Sequence, residues 1–66
     1  MLVTTTEAAQ LAGVSEAVIR MWRYRGHLRP AGWRGRRPLY DPVDVLLAER
    51  ATRTGVVAHY SDLALR

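Results

Sequence analysis

Seven arginines fall between positions 20 and 37 (20, 23, 25, 29, 34, 36 and 37) with no acid among them, whereas the rest of the 66-residue chain holds three arginines and all six carboxylates. Guanidinium groups at this density create a local field that attracts polyanions, and each presents a planar fork matched to a phosphate or to the edge of a guanine. Nucleic acid, held without covalent chemistry, is the leading partner. An enzyme is not expected, because no nucleophile, base and orienting group are spaced as a set and no phosphate-cradling glycine loop is present. With no cysteine and two histidines, neither a disulfide framework nor a four-ligand zinc site is available, and no cofactor is implied. All ten basic residues are arginine. Coding bias in a GC-rich genome accounts for much of that, which points to a high-GC bacterium or one of its phages or plasmids as the source.

The first element that must position these arginines is a helix beginning after Gly13-Val14. Ser15 has the type and place of an N-cap, and Gly26 supplies a C-terminal stop about three turns later. At 100° per residue Val18, Ile19 and Trp22 share one side with Ser15, while Glu16, Ala17, Arg20, Arg23 and Tyr24 share the other. The spacing predicts a core face built on Trp22 with Val14, Ile19 and Leu28, and an opposite face for reading DNA. Candidate contacts are Ser15, Glu16, Ala17, Arg20, Arg23 and Tyr24. Glu16 has two readings, acceptor from a cytosine amine or favourable charge in the first helical turn. Before this helix, Thr4-Thr5-Thr6-Glu7 has capping-box spacing and predicts a shorter helix to about residue 12, with Ala8, Leu11 and Ala12 inward. The threonines could also donate to a phosphate.

After Gly26 the pattern becomes extended. Residues 28–31 and 38–40 read as two short strands around a basic glycine-rich tip, 32–37, with Leu28, Leu39 and Tyr40 anchoring its base. Trp33, Arg34, Arg36 and Arg37 are the candidate contacts of this hairpin, either with a groove or phosphate track or as a solvated loop. Asp41-Pro42 starts another helix, for which Val43, Leu46 and Leu47 are the expected core stripe, with a surface Glu49–Arg53 pair and a stop at Thr54-Gly55. Beyond it the residues lack a clear period, although Ser61-Asp62 could cap a last turn. They either fray or contact a second copy or another partner.

Sixty-six residues support one core only. The expectation is a mainly α domain with a small β-hairpin over 1–55, followed by a tail over 56–66. The longest aliphatic stretch, 43–48, is interrupted by Asp44 and is too short to span a bilayer, so a cytoplasmic protein with no membrane partner, nucleoid-associated when bound to DNA, is expected.

Residues 4–49 resemble the winged helix-turn-helix domain of MerR-type regulators and of small phage and plasmid excisionases, also called recombination directionality factors. The likeness runs through Glu7-Ala8-Ala9-Gln10-Leu11-Ala12-Gly13-Val14-Ser15, then Val18-Ile19-Arg20-Met21-Trp22 with Gly26-His27-Leu28, then the arginine-rich hairpin ending at Leu39-Tyr40, then Asp44-Val45. It implies a second helix in the major groove of double-stranded DNA with the wing alongside. The short chain favours the excisionase branch, whose members bind adjacent sites, bend DNA and assist an integrase. A small MerR-like transcriptional regulator is the alternative. A basic adaptor for RNA or an acidic protein, with Trp33 and Tyr24 as stacking platforms, is a third, weaker reading.

Overall fold

A computed structural model describes residues 1–52. In chain order these form α1 (Thr5–Ala12), α2 (Glu16–Tyr24), β1 (Gly32–Arg34), β2 (Arg37–Leu39) and a third helix, α3, from 42 to the end of the described residues. The Glu49–Arg53 pair, the Thr54-Gly55 stop and the tail with its Ser61-Asp62 cap lie outside the described residues.

Helix α1 starts where its capping box sets it. The Glu7 amide donates to Thr4 Oγ1 at 3.1 Å and the Thr4 amide donates to Glu7 Oε1 at 2.9 Å, satisfying two of the amides that a helix start leaves open. It ends at Gly13, whose φ of 71° few side chains tolerate; the Gly13 and Val14 amides turn back to the Gln10 and Ala9 carbonyls. Helix α2 closes in the same manner, with the Gly26 amide donating to the Arg23 carbonyl and the His27 amide to that of Trp22 at 2.8 Å. This is the Schellman arrangement that the glycine position implies.

The core comprises Ala8, Ala9, Ile19, Trp22, Leu28, Tyr40, Val45 and Ala48, with Val3, Ala12, Val14 and Val18 packed at its edge. Small Ala8 and Ala9 let α1 lie close to Ile19 and Trp22 of α2. This placement corrects the expectation for Leu11, which is exposed. The inward face of α1 is centred between Ala8 and Ala9, and Leu11 lies about 110° around the helix from that centre.

The hairpin is tighter than its sequence suggests. The strands occupy what reads as the basic tip, pairing Gly32 with Leu39, Trp33 with Pro38 and Arg34 with Arg37. Only Gly35-Arg36 turns. Gly35 has φ 60° and Arg36 does not have positive φ, the pattern of a type II′ turn, whose twist matches that of the strands it joins. Residues 28–31, the expected first strand, are not strand, although the Ala31 amide donates to the Leu39 carbonyl at 2.8 Å. Residues before α1 complete the wing. Val3 and Tyr40 exchange both backbone hydrogen bonds, at 2.7 and 2.8 Å, which ties the start of the chain to the end of the hairpin and fixes Tyr40 in the core.

Helix α3 follows directly. Asp41 Oδ1 accepts from the Val43 amide at 2.8 Å, and Pro42 occupies the first turn, where its missing amide costs nothing. The side it buries is not the one expected. Val45 and Ala48 are inward, whereas Val43, Leu46 and Leu47 remain 61%, 48% and 58% exposed. Trp22 and Tyr40 already fill the interior, so α3 approaches with its shorter residues and leaves the larger aliphatic ones outside. The whole is a winged helix-turn-helix domain: α1 and α2 joined by a glycine turn, then a two-stranded wing, then a helix that closes the core.

Candidate nucleic-acid interface

Helix α2 is held rigidly at both ends, with Ser15 Oγ accepting from the Val18 amide at 3.2 Å and the Gly26 turn closing it. Its burial of Ile19 and Trp22 dictates the opposite face. Ala17, Arg20 and Tyr24 are exposed and Glu16 and Arg23 half-buried, so the five residues that the periodicity sets opposite the core lie off it, and Ser15, which the periodicity sets on the core side, is exposed at the N-cap. The Arg23 guanidinium sits 5.3 Å from the Tyr24 ring centroid, a cation–π contact that holds a positive charge against an exposed aromatic.

Glu16 is engaged within the protein. Its Oε2 accepts from Thr6 Oγ1 at 3.0 Å, linking α1 to α2, and its Oε1 lies 3.6 Å from Arg20 Nη2. A half-exposed pair of this kind adds little stability. Its consequence is positional, because Arg20 projects from α2 with a carboxylate behind it. Both carboxylate oxygens of Glu16 thus face partners within the protein.

Arg34, Arg36 and Arg37 are exposed on the wing, as is Trp33. Arg37 does more than extend the charge. A hollow of about 370 Å³ is lined by Thr4, Thr5 and Thr6 from the start of α1, Glu16 and Arg20 from α2, and Arg37 and Pro38 from β2. Hydroxyl donors and two guanidinium groups from three separate elements thus face one space, and helix and wing form a continuous surface. The hydroxyls of this space are legible as a possibility in the threonine run. The Thr6–Glu16 bond that brings α1 to it is not, since no local pattern marks a pairing ten residues apart.

The sequence profile of a family described as "helix-turn-helix domain" matches residues 2–47, which covers α1, α2, the wing and the first turns of α3. The chain belongs to the helix-turn-helix domain family. Membership makes it a sequence-specific DNA-binding protein. No curated protein and no solved structure matches the chain significantly. None of the helices of this helix-turn-helix protein, among the described residues, is long and apolar enough to cross a membrane.

Arg20 offers the most direct test of the interface. Arg20→Ala should weaken specific binding by roughly 1 to 3 kcal/mol if the guanidinium reads a base, while the fold persists because the side chain is outside the core. Titration of the folded variant against specific and scrambled duplexes separates a base contact, lost selectively, from a phosphate contact, lost on both. Unchanged affinity would remove Arg20 from the interface.

Proposed function

We propose that this helix-turn-helix protein is a DNA-binding accessory factor of site-specific recombination, acting in the bacterial cytoplasm on nucleoid DNA in the manner of an excisionase. The observation that supports the reading is the hollow shared by Arg20 and Arg37, which joins α2 and the wing in one surface. That surface is rich in groups suited to phosphate and poor in base-reading groups. Ala17 has no hydrogen-bonding reach, Glu16 is engaged by Thr6 and Arg20, and exposed arginines supply affinity that is largely independent of sequence. A single module of this size buries only about 600 to 1,000 Å² on DNA, so selectivity requires several copies on adjacent sites. Copies repeated head to tail form an open array, and an array of winged domains bends the DNA beneath it to keep each wing engaged. Such an array is what an integrase-assisting factor needs, and the resemblance of residues 4–49 to excisionases supports the same role. The protein then works by binding and shaping DNA, with no covalent chemistry of its own.

Footprinting on the DNA that flanks the gene tests this directly. The expected result is tandem protected sites beside an integrase attachment site, stepwise shifted complexes with positive cooperativity, and altered mobility in a circular-permutation assay. Tight one-to-one binding to an isolated promoter operator, without bending, would replace this reading with that of a small transcriptional regulator.

A further inference from the structure

Trp33, the large aromatic residue of the wing, remains 58% exposed, which leaves on the order of 100 Å² of ring in water where arginine is densest. Strand alternation fixes its direction. Trp33 is paired with Pro38, partners across a ladder share a face, and Tyr40, two residues after Pro38, is fully buried in the core. The ring therefore stands on the side of the wing turned toward the helices. Pro38, on that same side, lines the hollow with Arg20, whereas Trp33 lies beyond the edge of the core. Its indole makes no hydrogen bond, ring contact or cation contact among the described residues.

We propose that Trp33 is a shape-reading DNA contact, its indole packed against the deoxyribose and base-edge wall of the minor groove beside the major groove that α2 occupies. The inference rests on the DNA binding of the family and is independent of the recombination reading. Continuity and charge argue for DNA as the occupant. The ring adjoins the surface that α2 and the wing share, exposed Arg34, Arg36 and Arg37 follow it, and no acid lies between Glu16 and Asp41. A protein partner would have to offer a cluster of acids around an apolar pocket, whereas a duplex offers phosphates to the guanidinium groups and sugar rings to the indole. Groove dimensions set the depth. With strands about 4.8 Å apart before side chains are counted, the hairpin is too broad for a minor groove about 6 Å wide, so side chains alone reach in. A neutral ring placed there senses the width of the groove and the ease with which a base step deforms, neither of which a phosphate contact reports.

The test uses the full chain on a duplex with one isolated site. Because Trp22 is buried and Trp33 is not, acrylamide should quench mainly Trp33 in the free protein, and the duplex should protect it; Trp33→Phe, which reports Trp22 alone, should show no such change. Trp33→Ala should bind roughly fivefold more weakly or worse, the lower end of what an aromatic contact to nucleic acid contributes. Its melting temperature should hold, and so should the slope of log K against log salt, because a neutral ring releases no counterion. Trp33→Phe should keep most of the affinity. Changing the base steps beneath the wing, with the α2 site constant, should alter wild-type affinity and leave that of Trp33→Ala unmoved. Undiminished quenching on the duplex would overturn the proposal, as would native affinity in Trp33→Ala or an unchanged preference among base steps. So would Trp33 emission that shifts with protein concentration in the absence of DNA, which would assign the ring to a second copy, or stronger protection by single-stranded RNA than by duplex, which would assign it to base stacking. A single site suffices for every measurement, so failure here leaves the recombination reading intact.

Discussion

Trp22→Ala should unfold the domain. Trp22 lies in the inward stripe of α2, 6% exposed, in one cluster with Ile19, Leu28, Tyr40 and Val45. Truncating a buried tryptophan to alanine costs about 3 to 5 kcal/mol, because transfer energy is lost and a cavity remains that close-packed neighbours fill only in part. A chain of this size has a total stability of roughly 3 to 10 kcal/mol at 0.05 to 0.15 kcal/mol per residue. Loss of the ring therefore consumes a large part or all of it. Circular dichroism should show a melting temperature far below that of the wild type or no cooperative transition, and DNA binding should disappear with the fold. Trp22→Phe, which keeps an aromatic body in the same space, should retain a cooperative transition and measurable DNA affinity. A Trp22→Ala protein that melts normally yet no longer binds DNA would move the ring from the core to the interface.

How much of this was legible in the sequence follows from how local each signal is. Thr4 with Glu7, Ser15 with Val18, and Gly13 and Gly26 act within one or two helical turns, and all four devices appear in the structure at the positions their spacing predicts. The inward face of α2 was equally readable, because Ile19 and Trp22 are its bulkiest apolar residues and fall on one side. Where the readings failed, two faces were both plausible and tertiary packing chose between them. Leu11 and the 43–46–47 stripe are more apolar than the alanines and valine buried in their place, so a rule that puts the largest aliphatic residues inside selects the wrong side. What reverses it is the volume already occupied by Trp22 and Tyr40, which only short side chains can approach. The Val3–Tyr40 bridge and the Thr6–Glu16 bond join residues far apart in sequence and leave no periodic trace.

The interface divides along the same line. That Arg20, Arg34, Arg36 and Arg37 are surface residues can be read from charge alone. That Arg20 and Arg37 border a single hollow depends on the hairpin register, in which Arg34 is paired with Arg37 directly next to a two-residue turn. A tip of six residues, as the glycines and prolines suggest, would leave Arg37 free of that constraint. The tighter hairpin instead places it in an ordered strand beside α2.

This geometry gives the wing a distinct experimental signature. Replacing Arg34, Arg36 and Arg37 with glutamine removes three exposed charges and leaves shorter, neutral, polar side chains, and no core residue is touched. Thermal stability should change little, since the strand pairing and the II′ turn at Gly35 do not depend on these side chains. Binding to DNA should change greatly. Each phosphate contact contributes about 0.9 to the slope of log K against log salt through counterion release, so loss of all three should reduce that slope by about 2.7. The weakening should be steepest at low salt and of similar size on specific and scrambled duplexes, because phosphates carry no sequence information. Arg20→Ala should differ on both counts if it reads a base, with a loss that falls on the specific duplex and a slope nearly unchanged. Measured together across a salt series, the two variants separate the reading function of α2 from the anchoring function of the wing. A triple variant whose slope equals that of the wild type would make the wing a solvated loop, and the shared hollow would then serve α2 and the threonines alone.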